Sequence, residues 1–209
     1  MIIAVDGPAA SGKGTVARAL ARHYRLPHLD TGLLYRAVAA NVRAHELDAS
    51  IEADAVAASD FDERLLASPV LRDDDVGALA SVVSAHPLVR AALFQRQKRF
   101  AAQAGGAVLD GRDIGTVIAP DADAKLFIKA TPQIRAKRRH AELAARGDTT
   151  SFDKVLADIR ARDARDSARS TAPLMQAADA ALLDTSFLSI EASVRRAIEL
   201  VEAQVRNRD

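Results

Sequence analysis

The stretch Gly7-Pro8-Ala9-Ala10-Ser11-Gly12-Lys13-Gly14-Thr15 decides the fold, because it joins the apolar run Ile2-Ile3-Ala4-Val5 to a segment with apolar residues at helical spacing. A strand, a glycine-rich loop with a lysine and a helix in this order are typical of the phosphate-binding P-loop, whereas a plain glycine turn needs no lysine in this register. The glycines let backbone N–H groups converge on an anion, and Lys13 and the helix N-terminus add positive charge. We therefore predict that residues 7–15 bind the phosphates of a nucleotide.

Two residues are candidates for holding Mg²⁺ beside those phosphates. The usual P-loop pattern has Ser or Thr directly after the lysine, whereas here Gly14 precedes Thr15, whose hydroxyl is our candidate. Asp110 ends a predicted strand and is followed by Gly111, a position from which a carboxylate holds Mg²⁺ through water. A turn aspartate at a strand end is the alternative, but the P-loop on another strand favours the metal role.

Short apolar runs at 2–5, 28–30, 107–110, 125–129 and 181–184 alternate with helical sequence. This alternation predicts an α/β fold of three layers, with a central five-stranded parallel sheet in which the first run is the central strand. We predict one domain, divided into a core, an insertion and a lid. The core comprises residues 1–34, 105–132 and 177–209, the insertion about 35–104, and the helical lid about 133–170.

Composition excludes several classes of protein. The 209 residues are 49% hydrophobic and 27% charged with a net charge of +1, which excludes a disordered chain and gives no overall field that attracts nucleic acid. Without cysteine there is neither a disulfide nor a thiolate metal site, and no apolar run approaches a membrane span. The five histidines lack metal-ligand spacing, so we interpret them as structural. We expect a cytoplasmic protein without nucleic-acid or membrane partners.

Arginine accounts for 23 of the 29 basic residues, and it holds phosphates and carboxylates bidentately. Arg36, Arg90 and Arg112 lie outside the P-loop near predicted strand ends or helix starts, which indicates a second phosphate site. The segment 133–169 predicts two polar helices with charged faces, formed by Arg135, Arg138, Arg139 and Glu142 and by Arg162, Arg165, Asp166 and Arg169. They form either an exposed, salt-bridged helix pair or a mobile lid that brings cations to phosphates. With few apolar residues, the segment is expected to bury little of itself.

Five further strings form a pattern together with the P-loop: HLDTGLLYR at 28–36, HPLVR at 86–90, DGRDIGTVIAPDADAKLFI at 110–128, RARDARDSAR at 160–169 and APL at 172–174. Across essentially the whole chain this pattern resembles bacterial cytidylate kinases. The resemblance implies a monomer that transfers the γ-phosphoryl group of ATP to CMP or dCMP, with Mg²⁺ as cofactor. Residues 7–15 would then bind ATP, and the insertion would bind CMP.

The resemblance also implies roles for individual residues. Those binding CMP would be Thr31, Arg36 and Arg112 at its phosphate, Ser81, Arg90 and Asp113 at cytosine, Arg162 and Asp166 at the ribose, together with Tyr35. The catalytic cations would be Lys13, Arg112, Arg162, Arg165 and Arg169. Cytosine has an amino donor beside two acceptors, which suits a carboxylate with nearby donors.

Two alternatives remain at this point. One is a P-loop kinase for another small acceptor, such as UMP, AMP or shikimate. The other is a nucleotide switch that hydrolyses slowly without an acceptor, although the chain lacks the Asn-Lys-x-Asp motif that binds guanine. The chain also departs from many cytidylate kinases, because residues 59–75 are too short for the small antiparallel sheet that often follows the second strand.

Overall fold

The computed structural model describes residues 1–207. Within them the strands are β1 Ile2–Asp6, β2 His28–Asp30, β3 Ala107–Gly111, β4 Ala124–Lys129 and β5 Ala181–Asp184. The α-helices are α1 Lys13–Tyr24, α2 Thr31–Ala44, α3 Glu52–Ala57, α4 Asp74–Val83, α5 Pro87–Ala101, α6 Pro132–Ala144, α7 Phe152–Ala168 and α8 Ile190–Arg206. The described residues also form two 3-10 turns, Glu63–Ala67 and Pro69–Arg72, and one π-helical turn, Ile114–Ile118.

The strands form one sheet of order β2-β3-β1-β4-β5. β1 pairs in parallel with β3 and β4, and β4 pairs in parallel with β5. Residues 3–6 of β1 are buried, because a central strand of a parallel sheet is covered by helices on both faces. The predicted α/β fold with a five-stranded parallel sheet and β1 at its centre is therefore confirmed.

The chain divides into two compact units. The larger comprises Met1–Leu29 and the chain from Ala101 onward, and the smaller comprises Asp30–Phe100. In the larger unit, α1 and α8 pack their apolar faces onto β1 and β4, with Leu20, Leu126 and Val201 among the buried side chains. The larger unit includes most of the predicted core and all of the predicted lid.

The two arginine-rich helices, α6 and α7, begin at side-chain caps. The hydroxyls of Thr131 and Ser151 accept hydrogen bonds from backbone N–H groups in the first turns of α6 and α7. Between the two helices lies a small buried cluster of Ala136, Leu143, Val155 and Ile159. This cluster forms only a narrow stripe, and most residues of 133–169 are exposed or half-buried, so the expectation that the segment buries little of itself is confirmed.

In the smaller unit, α2 packs against α4, and Leu34, Val38, Leu71 and Val76 are buried there. The two 3-10 turns span most of residues 59–75, the stretch that is too short for the antiparallel sheet. Among the helices that the structure describes, none alone has the length and apolarity to cross a membrane. Only α4 and α5 taken together pass that test, and they are bent by 102°.

Candidate nucleotide-binding site

The P-loop owes its path to two glycines. A Cβ on Gly7 would lie 2.1 Å from the carbonyl oxygen of Ile128 on β4, so only glycine lets the chain leave β1 along the neighbouring strand. Gly12 is the N-cap of α1, with a left-handed φ of 90°, and no side chain caps the helix. Ala10 also has a positive φ, of 57°, which the surrounding fold must impose. The first turn of α1 thus lacks a side-chain cap, the arrangement in which a helix N-terminus binds phosphate.

Arg138 and Thr185 hold the outer side of this loop. Arg138 Nη1 donates to the carbonyl oxygen of Ser11 at 3.3 Å, and its two terminal nitrogens also donate to Thr185 Oγ1 and the Thr185 carbonyl oxygen. Thr185 Oγ1 donates to the same Ser11 oxygen at 2.8 Å. The charged face predicted on α6 therefore supports the P-loop backbone at this point.

Arg135 supports the loop one turn earlier on α6, and its side chain is only 3% exposed. Its guanidinium donates to the carbonyl oxygens of Ala9 at 3.2 Å and Ala130 at 2.9 Å, and it pairs with Asp163 of α7. Arg139, by contrast, forms a surface pair with Glu142. The sequence suggested that this arginine face forms surface pairs or binds phosphates. Neither interpretation includes the role that Arg135 and Arg138 have in the structure, which is to donate to carbonyl oxygens of the P-loop.

Asp110 lies in β3 with its carboxylate beside the start of α1. Its Oδ2 is 2.7 Å from His28 Nε2, and its Oδ1 is 3.8 Å from the position of a Cβ on Gly14. The described residues include no group of three or more His, Asp or Glu side chains that would form a complete metal cage. Mg²⁺ at a nucleotide site needs no such cage, since it takes one or two carboxylates together with phosphate oxygens and water. Asp110 supplies one such carboxylate beside the start of α1, and Thr15 lies in the first turn of that helix.

Three of the predicted cations surround one buried carboxylate. Asp166 is 1% exposed, and it accepts hydrogen bonds from Arg112 Nε at 2.8 Å and from Arg169 Nη2 at 2.5 Å. Burial raises the pKa of Asp166, but the charges of Arg112, Arg169 and Arg162 outweigh burial and hold this pKa below its usual 3.8. Arg165 is on the exposed side of α7, outside this group. We name the cluster formed by Arg112, Arg162, Asp166 and Arg169 the Asp166 cluster.

Asp113 follows Arg112 and directly precedes the π-helical turn, and it is 4% exposed. The N–H groups that begin this turn donate to the carboxylate of Asp6, at the end of β1. The pKa of Asp6 is raised to about 7: burial raises it most, the two N–H groups lower it, and the charge of Asp113 adds a smaller rise.

In the smaller unit, the guanidinium of Arg36 lies between α2 and α4. Arg36 Nη1 donates to the carbonyl oxygens of Leu71 at 2.7 Å and Asp73 at 3.2 Å. A Cβ on Gly77 of α4 would lie 2.7 Å from Arg36 Nη2. The glycine therefore makes room for the guanidinium against the helix.

The remaining predicted residues of the smaller unit lie in the same group of helices. Arg90 is 7% exposed, and its guanidinium lies 5.5 Å from the ring centre of Tyr35 and donates to the carbonyl oxygen of Ser84. Ser81 is 2% exposed, and its hydroxyl has no hydrogen-bond partner among the described residues. Thr31 is the first residue of α2 and is also buried.

Sequence reasoning did not assign roles to Asp6, Gly77 and His28. Asp6 and Gly77 could have been recognised, because an aspartate in an apolar strand and a glycine inside a helix each indicate a structural requirement. Asp6 accepts two backbone hydrogen bonds, and Gly77 admits a guanidinium. For His28 the sequence offered no signal, because its partner Asp110 is 82 residues away along the chain.

A P-loop at the end of the central strand of a parallel five-stranded sheet defines a nucleotide-binding α/β protein. The family model described as cytidylate kinase matches residues 3–203, and the chain belongs to this family. Over 204 residues it is 58% identical to a cytidylate kinase of Xanthobacter autotrophicus, covering 98% of each chain. It is 57% identical over 202 residues to a cytidylate kinase of Azorhizobium caulinodans, covering 97% of this chain and 98% of that relative.

A crystal structure of an uncharacterized protein from Eubacterium ventriosum has a similar fold. The two chains superpose with a TM-score of 0.56 at 15% identity, covering 97% of this chain and 99% of the other. At this identity the similarity concerns the fold alone.

Proposed function

We propose that this chain transfers the γ-phosphoryl group of ATP to CMP, and also to dCMP, giving ADP and the nucleoside diphosphate. The observation that carries the proposal is the Asp166 cluster, a second group of cations in the same unit as the P-loop. Asp163, one turn before Asp166 on α7, pairs with the arginine that holds the P-loop carbonyl of Ala9. Two linked cationic sites suit transfer between two nucleotides, whereas a hydrolytic switch needs only one.

ATP occupies the P-loop in this proposal. The N–H groups of residues 7–15 bind its phosphates, and Lys13 places a charge at the β- and γ-phosphates. Mg²⁺ would be held by Asp110 through water and by Thr15, and when bound it neutralises charge on the phosphate oxygens. His28 keeps the Asp110 carboxylate oriented by contact with its Oδ2.

Five residues of the smaller unit serve the acceptor. Thr31 and Arg36 bind the phosphate of CMP, and Ser81 and Arg90 contact cytosine with Tyr35 beneath the guanidinium. The buried hydroxyl of Ser81 supports this assignment, because a buried polar atom without a partner costs free energy unless a ligand satisfies it. Arg90, held against Tyr35 and the Ser84 carbonyl, is a pre-oriented donor.

Four further residues are assigned to the acceptor. Arg112 binds the CMP phosphate, Asp113 accepts a hydrogen bond from the amino group of cytosine, and Arg162 and Asp166 bind the ribose. The lowered pKa of Asp166 supports its role, because a carboxylate that stays ionised at neutral pH accepts hydrogen bonds from sugar hydroxyls.

The chemistry is in-line displacement without a covalent intermediate. An oxygen of the CMP phosphate attacks the γ-phosphorus of ATP, and the bond to ADP breaks as the new bond forms. Charge spreads over the transferred group, and Lys13, Arg112, Arg162, Arg165 and Arg169 stabilise it. No general acid or base is needed, since the attacking phosphate is already ionised.

The acceptor is tested by ADP formation with CMP, dCMP, UMP and AMP in parallel. We expect turnover with CMP and dCMP far above that with UMP or AMP. ADP release at the same slow rate with every acceptor, and without any, would instead indicate a nucleotide switch. Preference for UMP or AMP would leave a P-loop kinase but overturn the assignment of cytosine contacts.

We further propose that the protein works as a monomer in the cytoplasm, without nucleic-acid or membrane partners. A net charge of +1 and the absence of cysteine support this environment. Sedimentation of the purified protein with both nucleotides tests the monomer, and a dimer that forms at working concentration would contradict it.

A further inference from the structure

Asp6 is the last residue of the central strand and directly precedes the P-loop. Its side chain is buried, with the residue 5% exposed. One carboxylate oxygen accepts the N–H of Ile114 at 2.8 Å, and the other accepts the N–H of Gly115 at 2.7 Å. Two short hydrogen bonds therefore fasten the end of β1 to a turn more than a hundred residues away along the chain.

That turn is the π-helical turn that follows Arg112 and Asp113. Asp113 stands at its N-cap position, yet the side chain of Asp113 makes no capping hydrogen bond. Asp6 takes over the capping, because its two oxygens accept the first two N–H groups of the turn. The side chain of Asp113 therefore does not cap this turn, in contrast to the N-cap side chains of α6, α7 and α8.

The approach of Asp6 to the turn depends on Gly115. A Cβ at this position would lie 3.3 Å from Asp6 Oδ2 and 3.2 Å from Cδ of Lys125. These separations are tighter than most real Cβ contacts, so a larger residue would press the turn away from the carboxylate. The glycine and the aspartate together define how closely the turn sits on β1.

We propose that Asp6 is a positioning residue of the acceptor site, which fixes the backbone carrying Arg112 and Asp113 and thereby sets the affinity for CMP and the preference for cytosine over uracil. The inference rests on the proposed function, in which Asp113 contacts the amino group of cytosine. Uracil carries a carbonyl oxygen where cytosine carries that amino group, so a displaced Asp113 loses both the attraction to one base and the repulsion of the other. The charges of Asp113 and Arg112 both act on the Asp6 carboxyl, which is a mark of their proximity.

The test is Asp6→Asn, measured as KM and kcat for CMP, UMP and ATP. An asparagine amide has one acceptor oxygen, so its NH₂ group would face one of the two N–H donors and the turn would shift. We expect KM for CMP to rise about tenfold, the preference for CMP over UMP in kcat/KM to fall by a similar factor, and KM for ATP to change less than about twofold.

A matched control lies at the other end of the same strand. Asp123 accepts a hydrogen bond from the N–H of Ile2, so Asp123→Asn makes the same chemical change to a carboxylate that holds β1. This variant should leave the three KM values and the base preference unchanged. If Asp6→Asn merely lowers kcat equally for CMP and UMP, as loss of folded enzyme would, the positioning role is overturned.

Two further variants keep the outcomes distinct. Asp113→Ala tests the proposed function itself: if it leaves the base preference intact, the cytosine assignment fails, and the inference about Asp6 fails with it. If Asp113→Ala relaxes the preference and Asp6→Asn does not, only the inference fails. Should Asp6→Asn not fold, Gly115→Ala displaces the same turn more gently, and an unchanged base preference in that variant would also overturn the inference.

Discussion

The P-loop and the arginine-rich helices α6 and α7 both serve phosphate chemistry in our account, but they are built by opposite means. The P-loop works through its backbone, and its shape follows from small residues, such as Gly7 packed on the carbonyl oxygen of Ile128. The helices work through long charged side chains, and several of these pair with residues distant in sequence, such as Asp166 with Arg112 and Arg135 with Asp163. A site built from backbone groups can therefore be predicted from a short motif. A site built from side chains becomes apparent only in the folded structure.

The largest effect is expected at Lys13. Lys13→Ala should lower turnover by about two to three orders of magnitude, because it removes a transition-state charge from the loop. The circular dichroism spectrum should stay unchanged, since α1 continues to pack through Leu20 and Val16. Lys137→Ala, at an exposed position on α6, is the control and should retain full activity. Near-normal turnover of Lys13→Ala would contradict the proposal that this lysine binds the phosphates of the nucleotide.

The arginines of the Asp166 cluster should separate into two kinds. Arg162→Ala should lower turnover about tenfold or more with little change in stability. Arg169→Ala should lower turnover and also destabilise the fold by about 3 kcal/mol, because it leaves a buried carboxylate with one hydrogen-bonded cation fewer. Arg160→Ala, exposed on the same helix, is the control. Kinetics combined with urea unfolding measures both effects, and equal turnover in all three variants would favour the interpretation as a salt-bridged helix pair.

Substitution of Arg135 tests whether a side chain of α6 supports the backbone of the P-loop. Arg135→Ala should lower the free energy of unfolding by about 3 kcal/mol, because Asp163 loses its partner and two carbonyl oxygens lose a donor. KM for ATP should rise, since one of those carbonyls belongs to Ala9 in the P-loop. Arg139→Ala, which removes a surface pair with Glu142, should change the stability by about 0.5 kcal/mol or less. Similar losses for both variants would contradict the supporting role of Arg135.

The two regions also contain buried carboxyls whose pKa values move in opposite directions. Burial raises the pKa of Asp6 to about 7, so the folded protein binds its proton more tightly than the unfolded chain, where the pKa is 3.8. The contribution of Asp6 to stability therefore falls as pH rises from about 4 to about 7 and is constant above that range. Asp166, with a lowered pKa, contributes stability that is present above pH 3.8 and lost as pH falls through its folded-state pKa.

Urea unfolding at about pH 5 and about pH 8 measures the first effect. The difference in unfolding free energy between the wild type and Asp6→Asn should become smaller at the higher pH, by on the order of 1 to 3 kcal/mol. A difference for Asp6→Asn that widens with pH would mean that its two N–H partners outweigh burial.

The smallest effect concerns the mobility of the helices. We expect hydrogen exchange in residues 146–169 to slow when ATP and CMP are added together, because phosphates add partners to the arginines there. The 2–5 strand, buried at the centre of the sheet, should change little. Exchange in residues 146–169 that is equally slow with and without nucleotides would indicate a rigid pair of helices.

These two regions show what the sequence can and cannot predict. The strands, the P-loop and the helix pair were predictable because each depends on local periodicity or on a short motif. The Asp166 cluster was only partly predictable: helical spacing placed Arg162, Asp166 and Arg169 on one face, but Arg112 joins them from 54 residues away. The supporting roles of Arg135 and Arg138 were not predicted, because their partners are backbone carbonyl oxygens. Every residue has a carbonyl oxygen, so no sequence motif identifies these partners.

The central claim is direct transfer between two nucleotides, and labelled ATP tests it most directly. The protein is incubated with CMP and with ATP whose γ-phosphate is radioactive, and the products are separated. Our account predicts that the label appears in CDP in step with ADP formation, with little free phosphate, and that Lys13→Ala suppresses both products. Label that appears in inorganic phosphate, at a rate that does not depend on CMP, would contradict the account.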